Sequence, residues 1–142
     1  MPTITPELQG VDDWESLLAQ IQSHMSNMSP LMKTIAETMA QNAKNRIDQQ
    51  ITPMGTPFHP HSPGYVNRTG KILIDTGALQ NEIQPQWTTN SASVIAGTGS
   101  SASYAYRHQY GAGVPSRPFI GASAEDVEQC VELMIDYLNE LV

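Results

Sequence analysis

Two histidines, His59 and His61 with Pro60 between them, are the residues of this chain best arranged to bind a metal. Alternate side chains of an extended segment can point the same way, and two imidazoles so presented could hold zinc or nickel. A stable site needs a third ligand. None is close in sequence, and Asp75 and His108 are the groups that folding could bring near. With them, the segment would be the centre of a metal-dependent hydrolase. The plainer expectation is a loop without metal. Asp75-Thr76-Gly77 has the triplet found in aspartic proteases, whose chemistry needs two carboxylates sharing a proton. One copy supplies these only in a symmetric dimer with apolar strands and flap hairpins, which a helical first third does not fit. The expected reading is a turn, with Asp75 accepting backbone amides ahead of Gly77. Gly97-Thr98-Gly99-Ser100-Ser101 is glycine-rich like a phosphate loop, but neither a lysine nor a matching helix start follows it. There is no Gly-x-Ser-x-Gly elbow for a nucleophilic serine. The residues therefore predict no enzyme, no cofactor and no metal.

The elements around these residues follow from periodicity. Residues 1–11 carry two prolines and a glycine and are expected to be a flexible arm, leaving 12–142 as one domain. Asp12, with Glu15 three residues on, suggests a capping box for a first helix with the apolar stripe Trp14, Leu17, Leu18, Ile21 and Met25. Ser29-Pro30 is a second helix start, with Ser29 as cap. Leu31, Met32, Ile35, Ala36, Met39, Ala43 and Ile47 then follow helical spacing to about Gln50, roughly 30 Å at 1.5 Å per residue. Residues 51–70 hold four prolines, three glycines and two histidines, and predict a long loop. The run Ile72-Leu73-Ile74, then Leu79 to Trp87 and Ala92 to Ala96, reads as β, the last two joined by the polar tip Thr88-Thr89-Asn90-Ser91. Pro85 belongs at an edge or a strand end. Tyr104 to Tyr110 is a short helix or strand ended by Gly111 and Gly113, and 117–121 is an extended lead-in to the last helix. That helix has Ser123 as cap, Asp126 completing the box, and the stripe Val127, Cys130, Val131, Met134, Ile135, Leu138 and Leu141. The fold class is α+β: two N-terminal helices, a small antiparallel sheet and a C-terminal helix packed on it.

Composition limits the function. With 142 residues the chain can bury a real core, roughly 68–70% of its unfolded surface. Apolar residues make up 39% and charged residues only 15%, and Ser, Thr, Gln and Asn keep the surface soluble. Such a surface docks to neighbours with little desolvation of charge. Seven basic residues against fourteen acidic ones give a net charge of −7, which argues against nucleic-acid binding as the main task. The single cysteine, Cys130, can form no internal disulfide and is expected to be a small buried hydrophobe. No secretory leader and no span of ~20 apolar residues is visible. Of the aromatics, Trp14, Trp87 and Phe119 are assigned to the core, and Tyr106 and Tyr110 equally to core or interface.

Several of these segments, in their order, resemble the phage virion morphogenesis family, the tail-completion proteins of Mu-like phages. The second helix leads into Pro53-Met54-Gly55-Thr56-Pro57-Phe58, where the family has a glycine and then an aromatic. Ile72-Leu73-Ile74-Asp75-Thr76-Gly77-Ala78-Leu79 matches apolar residues followed by Thr-Gly-x-Leu. Tyr104-Ala105-x-x-His108-Gln109-Tyr110-Gly111 matches Tyr-Ala-x-x-His-Gln-aromatic-Gly. Arg117-Pro118-Phe119-Ile120-Gly121 and the capped last helix follow. The similarity covers about residues 12–142. Two departures are visible: Phe58 stands where many relatives have tryptophan, and the link from Gly111 to Arg117 is short.

The resemblance implies a structural protein that completes or terminates the tail for head–tail joining. By analogy with tail terminators it would form a ring of its own copies, commonly hexameric, between tail tube and head-neck proteins. Its residence would be the host cytoplasm during assembly and then the head-proximal end of the virion's tail, without contact to membrane. The interface and structural residues so implied are Phe58, Gly77, Leu79, Tyr104, His108, Gln109, Tyr110, Gly111, Arg117, Pro118 and Phe119. A head-side connector or neck subunit is the alternative from the same setting. DNA would at most pass through such a ring, and an acidic lumen would let it slide.

Overall fold

The computed structural model describes residues 11–65 and 67–140, with residues 11–13 described by their backbone alone. The arm expected over 1–11 lies outside these residues except for Val11, which is already helical. The first helix, α1, spans Val11–Ser26, and the second, α2, Ser29–Gln49. The side chain of Asp12, expected as the α1 cap, is likewise outside the described set. At α2 the cap differs from the expectation. Met28 occupies the N-cap position, no side chain caps the helix, and Ser29 is its first residue with Pro30 close behind. The Ser29 hydroxyl donates instead to the Asn27 side-chain oxygen at 2.6 Å. Gln50 ends the helix with φ of 61°.

The described residues of 51–70 form no helix or strand, as expected of a loop, and a bridge between Ile51 and Pro57 ties its start together. The segment read as β from Leu79 is corrected at its start. Gly77, with φ of 84°, caps a single helical turn, α3, over Ala78–Asn81, and only Gln84–Trp87 is strand, β1. The glycine lets the chain enter the turn in a left-handed conformation that a residue with a Cβ resists. The run at 72–74 is likewise not a strand but a tight turn, bridged between Lys71 and Ile74 with Leu73 at φ of 65°. Strand β2 covers Ala92–Ile95 and pairs antiparallel with β1, Trp87 opposite Ala92 and Gln84 opposite Ile95. Pro85 sits opposite Val94; a two-stranded ribbon has only edge strands, where a missing N–H can be tolerated. A 3-10 turn over Ser100–Ser103, a short helix α4 over Ala105–Tyr110 and the last helix α5 over Ala124–Asn139 complete the chain.

The class is α+β, and α2 is its spine. The β-ribbon lies on one side of α2. Helix α5 packs on α2 rather than on the sheet itself. The core is Ala40, Ala43, Ile47, Phe58, Leu79, Ile83, Ala105 and Phe119. Small residues on α2, Ala40 and Ala43 among them, let the β-ribbon approach its backbone closely. Phe119 is core as assigned, but the two tryptophans are not. Trp14 and Trp87 are exposed, Trp87 with the Lys33 ammonium 5.8 Å from its ring centre. No helix among the described residues is long and apolar enough to cross a membrane.

Helix α5 has the Ser123–Asp126 capping box, but it faces inward with a different side from the one its pattern suggests. Asp126 is buried and Cys130, Leu133 and Tyr137 are half-buried, whereas Val127, Val131, Met134 and Leu138 keep 37–52% of their surface exposed. The physical reason is an ion pair. Arg46 of α2 is buried, and its guanidinium Nη1 donates to Asp126 Oδ2 at 2.7 Å while Nη2 donates to the Gly121 carbonyl at 2.8 Å. Asn42 adds donations to Asp126 Oδ1 and Gln129 Oε1, both at 2.7 Å. A buried guanidinium without its carboxylate would be strongly unfavourable. The polar pairing therefore sets the rotation of the helix, and the apolar stripe turns outward.

Candidate functional site

The motif residues converge around α4. The 3-10 turn and α4 follow one another with Tyr104 between them, and Gly111, at φ of 76°, ends α4 with its N–H on the Arg107 carbonyl. A Cβ at Gly111 would stand 3.2 Å from the Ser116 backbone and side chain. Glycine is thus required twice, for the turn and for the close return of the chain. The returning segment is held by Gln109. Its amide nitrogen donates to the Ile120 carbonyl at 2.8 Å, and its oxygen accepts the Phe119 and Ile120 amides at 3.0 and 3.1 Å. One side chain thereby replaces a neighbouring strand for residues that have none. The Arg117 amide adds a bond to the His108 carbonyl at 2.6 Å.

Arg117 fastens this unit to the 51–70 loop. It is buried, with Nε donating to the His59 carbonyl at 2.6 Å and Nη2 to the Pro60 carbonyl at 2.8 Å. Nη1 lies 3.1 Å from Nδ1 of His108. A guanidinium can only donate, so His108 Nδ1 must be the acceptor and its imidazole neutral. Burial lowers the His108 pKa, and the charge of Arg117 and then His61 lowers it further. Phe58, next to the bound carbonyls, is thereby held in the core with Leu79 and Phe119.

A cleft of about 450 Å³ opens beside this clasp, lined among others by His61, Asp75, Tyr104, His108 and Arg117. Burial raises the Tyr104 pKa, and nearby Glu82 and Asp75 raise it further, so its hydroxyl stays protonated. Asp75 accepts the Arg68 amide at 2.8 Å rather than amides of its own turn, where the Thr76 hydroxyl accepts from Ala78 at 3.3 Å. The two histidines have different surroundings. His61 lines the cleft with its ring 5.0 Å from Tyr65, while His59 is exposed with Nδ1 3.0 Å from the Pro60 carbonyl. Among the described residues no group of three or more His, Cys, Asp or Glu side chains could hold a metal ion. The cleft can offer hydrogen bonds to a polar segment.

Not every implied residue is in this unit. Tyr110 is exposed and packs against Tyr106 with ring centres 5.0 Å apart and the planes tilted by 50°, outside the core, and Pro118 is half-buried. Other residues carry weight that the sequence did not reveal. Gln50 repeats the Gln109 device, giving its amide to the Ile72 carbonyl at 2.8 Å and taking the Ile72 N–H at 2.6 Å. The glycine-rich 97–101 segment does receive an anion, the carboxylate of Glu82, whose Oε2 accepts the Ser101 amide at 3.0 Å. A Cβ on Gly99 would stand 2.3 Å from Glu82 Oε1.

Residues 7–139 match the sequence model of the phage virion morphogenesis family. The chain belongs to that family. No curated protein and no solved structure matches it. The virion morphogenesis family is one of structure and assembly, and its member described here is a phage structural or assembly protein. The four family-like segments are thus joined physically: α2, Phe58, Leu79, Ala105 of α4 and Phe119 share one core, and the clasp ties α4 and the 117–121 segment to the loop after Phe58.

Proposed function

We propose that this protein completes or terminates the phage tail for head–tail joining, acting as a ring of its own copies, six by analogy with tail terminators, between tail tube and head-neck proteins. The observation that carries the reading is family membership over nearly the whole described chain. The surface supports it. Apolar faces on α1 and α5 are left uncovered in the single subunit, and α5 carries five carboxylates and no basic residue. A face that is both apolar and uncovered suits a subunit that is finished by its neighbours.

The test is deletion of the gene from its phage or prophage, followed by induction and electron microscopy of the lysate. Full heads beside unjoined or defective tails are expected. Capsids that have lost their DNA would instead indicate a head-side connector, and normal infectious particles would remove the assembly role.

A further inference from the structure

Helices α1 and α5 each carry an uncovered apolar stripe, and the two stripes have the same spacing. On α1, Trp14, Leu18, Ile21 and Met25 advance by four, three and four residues; on α5, Val127, Val131, Met134 and Leu138 advance by four, three and four. This is the spacing of knobs along a helix–helix seam. Each stripe is roughly 16 Å long at 1.5 Å per residue. Trp14, Leu18 and Met25 are exposed, as is the whole α5 stripe, and only Ile21 is half-buried. Among the described residues α1 packs along no other element. Its link to α5 is the Tyr137 hydroxyl, which donates to the His24 carbonyl at 3.3 Å near the α1 terminus.

We propose that the α1 stripe of one subunit docks on the α5 stripe of the next copy, head to tail. This deepens the ring reading and rests on it. Charge selects this pairing over its rivals. One flank of the α5 stripe is acidic, with Glu128 and Glu132 beside it, so two α5 helices would meet acid to acid. From Ser16 to Ser26, α1 has no Asp, Glu, Lys or Arg, and His24 is its sole titratable group. The carboxylates of α1, Asp12, Asp13 and Glu15, are confined to its first five residues, so from Leu18 to Met25 it can lie against α5 without like-charge contact. Two α1 helices could also pair, but that would close a two-fold dimer and leave α5 bare. Joining unlike faces generates rings when the rotation closes.

The test is disulfide trapping of the full chain in a Cys130→Ala background, since Cys130 is the only cysteine. Chains with Leu18→Cys are mixed with chains with Val131→Cys, both as concentrated purified protein and in induced lysates, and ring formation is followed by sedimentation. A mixed covalent dimer is expected, with little Leu18–Leu18 or Val131–Val131 product. Leu18→Glu and Met134→Glu should each weaken association about tenfold or more. They should leave the subunit's thermal midpoint unchanged, because both side chains are exposed within it. Rings that form without the mixed product would overturn the proposal and leave the ring reading standing. Self-products as the main species would replace the head-to-tail contact with a symmetric one. A chain that is monomeric in both settings would overturn both.

Discussion

Asp126 has three roles at once: its oxygens receive the Ser123 amide at 3.0 Å, Asn42 and the buried guanidinium of Arg46. Removing the Ser123 hydroxyl alone takes away one cap bond, and Ser123→Ala should cost about 1 kcal/mol. Asp126→Asn keeps the shape but leaves Arg46 buried without its counter-charge, which should cost about 3–5 kcal/mol. Urea unfolding of the two variants should separate them by that margin. The carboxyl of Asp126 also sets an acid limit. Burial pushes its pKa up, but the Ser123 amide and Arg46 bring it below the usual carboxylate value. Its contribution is present above the unfolded value of about 3.9 and is lost as pH falls through the lower folded value. His108 acts higher. Its folded pKa is lowered, so the unfolded chain takes up the proton more readily. Stability from this group is complete above about pH 6.5 and declines as pH drops below it toward the folded pKa. Thermal midpoints measured between about pH 7.5 and 5 should fall on the acid side, and His108→Asn should flatten that fall.

At the scale of elements, the two turn glycines should separate by mechanism. Gly77 has a positive φ but room for a Cβ, its nearest neighbour being Asn81 at 3.6 Å. Gly77→Ala should therefore cost only the left-handed strain, about 1–2 kcal/mol. Gly111→Ala adds a contact at 3.2 Å with the Ser116 backbone and should cost more, measured by thermal unfolding of both variants. Helix α5 gives the contrary case. Had its apolar stripe been buried, Met134→Ala would cost about 2–5 kcal/mol; with that stripe outward, the change should stay within about 0.5 kcal/mol for the single subunit. These differences mark what the sequence could show. Period, caps and turn glycines made α2, α5, the loop and the β-ribbon readable. The rotation of α5 was not, because periodicity shows which residues share a face and not which face meets the core. Nothing in the sequence around Arg46 marks it as buried or as the partner of Asp126, 80 residues away. The amides looked like solubilising surface, yet Gln50 and Gln109 each substitute for a strand. The α3 turn was hidden because Leu79 and Ile83 serve equally well as strand or helix residues.

For the whole molecule, a ring of these subunits would gather a charge of −7 from each copy. Assembly by apolar stripes then works against long-range repulsion that salt screens within about 8–10 Å. Association measured by sedimentation should strengthen as salt rises from low to physiological ionic strength, the reverse of a DNA clamp, whose binding weakens with salt. The candidate site fits the same picture at subunit level. The clasp of Gln109 and Arg117 uses up most of its own donors and fixes the loop, the lead-in to α5 and α4 as one body. It presents the cleft and the Tyr106–Tyr110 pair on a firm support.

Arg46 joins α2 at once to the Gly121 carbonyl and to the first turn of α5, with Asn42 one helical turn earlier sharing the same carboxylate. Such an arrangement constrains the history of the chain as well as its stability. A change at position 46 alone strands a carboxylate, and a change at 126 alone strands a guanidinium, so drift through either single step is closed. Across the lineage, positions 42, 46 and 126 should therefore vary as a set, passing from this polar triad to an apolar one in concert or not at all. The outward stripe of α5 should change on a different schedule, in step with whatever surface it meets.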